Sequence, residues 1–146
     1  MPRLSQFAVK VAMLYLVVGA LWALGYWLNA LWQVLPGWTP LLQSLSPTYI
    51  HLIVVGWLTQ FIFGVMYWMF PVISKTRPRG DVRLAWATFI CLNAGLLMRA
   101  IGEPWHTLQP LPFNSVVLVL SALLQACAAA LFVWISWPRV RERGGF

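Results

Sequence analysis

The chain has 146 residues, 61% of them hydrophobic and 9% charged, with ten tryptophans and a mean hydropathy of +0.76. That composition excludes a soluble globular protein and leaves an integral membrane protein with no soluble domain beside its spans. A net charge of +7 would suggest nucleic acid in a soluble protein, but here the basic residues gather at the ends of apolar runs and read as topology anchors. Membrane lipid is therefore the expected partner, and nucleic acid is not.

Four apolar runs predict an all-α membrane protein, a four-transmembrane-helix bundle forming a single membrane domain over 1–146, with helices at about 7–32, 48–72, 84–102 and 113–137. The first run follows Arg3 and Lys10. It resembles a signal peptide in charge order, but it is too long for one, and bulky residues stand where a small-residue cleavage site would be needed. Gly19 and Ala23 are spaced for close helix packing, and Trp27, Trp32 and Trp38 suit an outer interface. Pro36, Gly37, Pro40 and Pro47 then predict an irregular loop.

The second run carries no charge from Thr48 to Val72 and places His51 one turn inside its start. At a constant helical period, His51, Val55, Leu58, Ile62, Val65 and Met69 share an apolar face, while Gly56, Gln60, Gly64 and Tyr67 share the opposite one. Small residues on the second face invite a neighbouring backbone, with Gln60 as a polar contact, and the His51 face is left free to receive a flat apolar group. Lys75, Arg77, Arg79 and Arg83 follow against a single Asp81, the strongest positive-inside signal in the chain.

The third run is expected to end at Glu103-Pro104, where proline stops the helix, so that His106 falls in a loop. The fourth carries Ala122, Ala126 and Ala130 on one stripe and Ser121, Gln125 and Ala129 on the next, both suited to tight helix contact. Arg139, Arg141 and Arg143 close the chain. All basic loops then lie on one side, which puts both termini in the cytoplasm of a bacterial-type inner membrane, with Trp68, Trp86, Trp134 and Trp137 at the inner boundary. Both histidines, Arg99 and Glu103 fall on the outer side.

A histidine within a span needs partners for its nitrogens. For His51 two readings stand: a hydrogen bond to the outer loop or an interfacial water, or axial ligation of haem iron through a neutral imidazole. Arg99 has three open partners, namely Glu103 four residues on, a lipid phosphate, or a cofactor carboxylate such as a haem propionate. His106 is either solvated or a second axial ligand. Cys91 and Cys127 lie at similar depth and read as packing residues. Phosphate-binding glycine loops, a serine triad, HExxH and clustered cysteine signatures are all missing from the sequence, and its three acidic residues argue against a proton-coupled carboxylate transporter.

The stretch HLIVVGWLTQFIFGVMYWMFP, followed by RPRGDVRLAW, resembles the haem-copper oxidase superfamily, particularly the catalytic subunit of cbb3-type oxidases and the related NnrS membrane proteins. The shared pattern is a histidine at the outer end of an even-numbered helix, then Gly-Trp, Phe-Gly, an aromatic and a terminal proline. That resemblance covers about a third of the chain. It implies b-type haem with His51 as axial ligand, electron transfer or diatomic-gas binding, and a respiratory redox partner. Arg99 matches no motif of the family, and two histidines do not suffice for a binuclear centre, so a complete terminal oxidase is not expected. Family catalytic subunits have twelve helices in three sets of four, which makes this chain the size of one set and a homotrimer the expected oligomer. Two alternatives stand beside this reading: a non-catalytic membrane subunit or assembly factor of a respiratory oxidase, and a trimeric copper or zinc site built from three His51 imidazoles.

Overall fold

The structure, a computed structural model, describes residues 1–44, 46–73 and 78–140. Lys75, Arg77, Arg141 and Arg143, expected to mark the inner face, lie outside the described residues. Among those described, four helices are long and apolar enough to cross a membrane, and there is no strand. They are α1 (Arg3–Trp32), α3 (Ser46–Met69), α4 (Val82–Leu108) and the fourth run, whose α-helix α5 (Pro112–Ser136) continues as a 3₁₀ turn to Arg139. The connection after α1 is more ordered than its prolines predict. A 3₁₀ turn at Pro36–Trp38 leads into a short helix α2 (Thr39–Ser44). Asn29 organises it by accepting the Leu35 amide at 2.7 Å and donating to Thr39 Oγ1 at 3.2 Å.

The α1 stripe Leu4, Ala8, Ala12, Tyr15 and Gly19 is buried, at the three- and four-residue spacing of one helix face. It packs along α3. The buried stripe of α3 runs Thr48, Leu52, Gly56, Gln60, Gly64, a strict period of four, before Tyr67 completes it. An α-helix repeats every 3.6 residues, so such a stripe would wind by about 40° per step. Leu52–Thr59 is π-helical, with more than four residues per turn, and its counter-rotation keeps the stripe facing its neighbours. At Gly56 a side chain has no room: a Cβ would lie 2.8 Å from both Tyr15 Cγ and Leu96 Cδ2.

Across α1, α3 and α4 runs a polar ladder. Tyr15 Oη donates to Asn93 Oδ1 at 2.9 Å, Asn93 Nδ2 donates to Gln60 Oε1 at 2.7 Å, and Gln60 Nε2 donates to the Ala8 carbonyl at 3.3 Å. Gln60 thus makes the interhelical contact its position suggests. The second pairing, α4 with α5, closes around Gly95, whose carbonyl accepts from Ser121 Oγ at 2.8 Å. Towards the ends of α3 and α5 the two pairs meet through Phe63 and Phe132, stacked with centroids 3.8 Å apart.

Several expectations need correction. Proline does not end the third helix: α4 runs through Pro104 to Leu108, so the helix extends beyond 84–102 and His106 is helical. Pro104 removes one backbone donor, but the following turn is held by Thr107 Oγ1 donating to the Glu103 carbonyl at 2.9 Å and the Gln109 amide to the Trp105 carbonyl at 2.8 Å. The neighbours that Gly56 and Gly64 invite come from the same chain, Tyr15 at Gly56 and Ala8 at Gly64. Of the two α5 stripes, Ser121 is buried against Gly95, whereas Ala122, Ala126 and Ala130 lie on the surface.

Candidate functional site

Opposite the end where α1 begins and α5 finishes, the first two turns of α3 meet the last three turns of α4. Thr48 and His51 come from α3, and Arg99 and Glu103 sit one turn apart on α4. Thr48 Oγ1 donates to Glu103 Oε2 at 3.2 Å, which fixes the carboxylate. His51 Nδ1 lies 2.9 Å from the Pro47 carbonyl and 3.3 Å from Glu103 Oε1. On the other side of the ring, Arg99 Nη1 donates to His51 Nε2 at 2.7 Å. Arg99 Nε is 3.7 Å from Glu103 Oε1, so the local ion pair forms together with the histidine contact.

The geometry fixes the histidine tautomer. Guanidinium carries donors only, so Nε2 must present its lone pair to Arg99. Nδ1 then carries the proton, facing two acceptors, the Pro47 carbonyl and Glu103. This is the neutral imidazole, oriented by a carboxylate and a backbone carbonyl, the arrangement that typically supports a metal-ligating histidine. The side chains of His51, Arg99 and Glu103 are 27%, 22% and 11% exposed, so the cluster is screened but reachable.

His106 stands one turn beyond Glu103, on the face of α4 that carries Arg99 and Glu103, and its Nδ1 is buried without a hydrogen-bond partner. Among the described residues, no group of three or more His, Cys, Asp or Glu side chains could hold a metal ion. Cys91 and Cys127 are free thiols that face each other between α4 and α5.

For haem, the donor set fits at two points. His51 presents the required nitrogen, and Arg99 is a cation beside it whose Nε is buried with no hydrogen-bond partner. Before iron could take Nε2, Arg99 would have to turn away. Sequence reasoning placed His51, Arg99 and Glu103 on one side of the bundle but missed their union and the part played by Thr48. The four-residue spacing of Thr48, Leu52 and Gly56 was the available signal that Thr48 faces inward. No known protein family, curated protein or solved structure matches the chain.

Proposed function

We propose that the chain is a haem-b-binding protein of a bacterial-type inner membrane, similar to one four-helix set of a haem-copper oxidase catalytic subunit. The observation that carries this reading is the set of contacts on His51, a carbonyl and a carboxylate at Nδ1 and the Arg99 guanidinium at Nε2, which calls for a proton on Nδ1 and a lone pair on Nε2. A b-type haem supplies one-electron chemistry and, where an axial position stays open, a place for a diatomic gas.

The chain's own residues do the rest. Glu103, held by Thr48, keeps the proton on Nδ1 and so keeps Nε2 basic. Arg99 guards Nε2 in the cofactor-free protein and, once displaced, is a cation for a propionate. The four-residue repeat through the π segment moves Leu58 and Ile62 off the expected His51 face onto the exposed stripe of Ile50 and Val54, and leaves the half-buried Val55 one turn below His51. His106 is the residue on α4 from which a second ligand would come. A trimer remains the proposed assembly, and with Gly56 and Gly64 filled internally, the outward Ala122, Ala126 and Ala130 stripe is the packing face left for it.

One observation favours a second reading. Because Arg99 already satisfies Nε2, the same cluster also works as a latch between α3 and α4 in a non-catalytic subunit or assembly factor of a respiratory oxidase. Haem titration of the detergent-solubilised protein, followed by a reduced-minus-oxidised spectrum, separates the two. Haem binding predicts a b-type spectrum with stoichiometric iron in the wild type and none in His51→Ala, with folding intact. No uptake by the wild type, or equal uptake by His51→Ala, would leave the latch.

A further inference from the structure

At the end remote from His51, the start of α1, the end of α3, the start of α4 and the end of α5 converge. Arg3, Arg79, Arg83 and Arg139 gather there, while Asp81 is the one carboxylate of the described residues at this end. Asp81 is already committed, since its Oδ1 accepts the Arg83 amide at 2.8 Å as the cap of α4. The turn before α4 is fixed by the Ile73 amide donating to the Pro78 carbonyl at 3.0 Å and by Gly80 at φ +78°, a left-handed conformation that suits glycine. That turn sets Arg79 against the start of α1.

Arg3, Leu4, Tyr67, Arg79 and Trp86 line a pocket of about 450 Å³. Arg139, 1% exposed, stacks over the Tyr67 ring with its guanidinium carbon 5.4 Å from the centroid. Three of its donor contacts go to backbone carbonyls, but Nη1 is buried without a partner, and so is Arg79 Nε. Arg79 thus holds a spare buried donor in the pocket wall beside the exposed Arg3, and Arg139 holds another against the Tyr67 ring that lines it. Buried donors without acceptors are costly, and the group that answers them is an anion with several acceptor oxygens. Leu4 and Trp86 give the same pocket an apolar wall. An anion that carries a hydrocarbon tail satisfies both halves, whereas a free ion satisfies one.

We propose that this pocket binds the phosphate of an anionic phospholipid from the inner leaflet, with Arg3 and Arg79 at the phosphate and the acyl chain running past Leu4 and Trp86. It is independent of any cofactor at His51. The test is lipid retention, by native mass spectrometry of the full chain, after delipidation and exposure to phosphatidylglycerol, phosphatidylcholine or inorganic phosphate. Phosphatidylglycerol should be retained preferentially. Arg79→Gln and Arg3→Gln should each weaken retention by about fivefold. Arg83→Gln, on an exposed side chain outside the pocket, should leave it unchanged. Because Arg3 is itself exposed, Arg3→Gln keeps the test decisive should Arg79→Gln fail to fold. Equal retention of phosphatidylcholine, or an equal loss with Arg83→Gln, would reduce the pocket to diffuse surface attraction and overturn the proposal. Displacement of phosphatidylglycerol by inorganic phosphate at equal concentration would make free phosphate the ligand and overturn the lipid assignment.

Discussion

Arg99 and Arg139 each stand near the end of an apolar helix, yet they are held in opposite ways. Arg139 is enclosed. Its Nε donates to the Pro71 carbonyl at 3.1 Å, its Nη2 to Tyr67 and Phe70 carbonyls at 3.0 and 2.8 Å, and its plane lies over two aromatic rings. The Tyr67 carbonyl is in the last turn of α3 and the other two follow directly on its end, so the cation satisfies acceptors at that terminus and opposes the helix dipole. Arg99 instead contacts a neutral imidazole and a carboxylate, keeps Nε without a hydrogen-bond partner, and is 22% exposed. Backbone carbonyls cannot be withdrawn, whereas an imidazole can exchange one partner for another. One arginine is a fixture of the fold, and the other is held by a contact that a ligand could replace.

Breaking the fixture should have the largest effect. Arg139→Ala strands three carbonyls and separates α5 from α3, which should cost about 3 kcal/mol, read as a lowered thermal midpoint in detergent. Arg139→Lys should recover only part of that, because one ammonium cannot match the planar fork. Next comes packing. Gly56→Val drives new carbon into Tyr15 and Leu96 and should cost about 2 kcal/mol, while Gly25→Val, where nothing lies within 4 Å of a Cβ, should cost much less in the same melt. Asn93→Leu removes both the acceptor for Tyr15 and the donor to Gln60 and should cost about 1 kcal/mol.

Arg99→Leu should be the mildest to the fold, about 0.5 kcal/mol, since its pair is partly exposed. Its consequence should appear in ligand kinetics instead. On the proposed haem reading, an uncovered Nε2 should let haem associate faster, and loss of the Arg99 cation should shorten its retention. A melt as damaging as that of Arg139→Ala would erase the distinction between the two arginines.

The sequence made much of this legible. Uninterrupted apolar length marked the helices, and the small face Gly56, Gln60, Gly64 and Tyr67 is buried as its composition implied. What it hid were effects of context. Proline at position 104 reads as a stop because it removes a donor, but side-chain and backbone bonds of the next turn carry α4 four residues further. A constant helical period hides the π segment that aligns Thr48 with Gly64. Arg139 reads as one more solvated topology charge, and nothing local signals that it folds back onto the end of α3. At the histidine end, spacing paired Arg99 with Glu103, but the joining of that pair to His51 depends on two helices brought together over 48 residues of chain.

The central claim is that His51 offers an Nε2 lone pair while Nδ1 holds the proton. Nitrogen-15 NMR of the histidine-labelled, cofactor-free protein reads this directly. The account predicts for His51 a pyrrole-type Nδ1 and a pyridine-type Nε2, a pair of signals missing from His51→Ala. A pyrrole-type Nε2, or two equivalent imidazolium nitrogens at neutral pH, would contradict it.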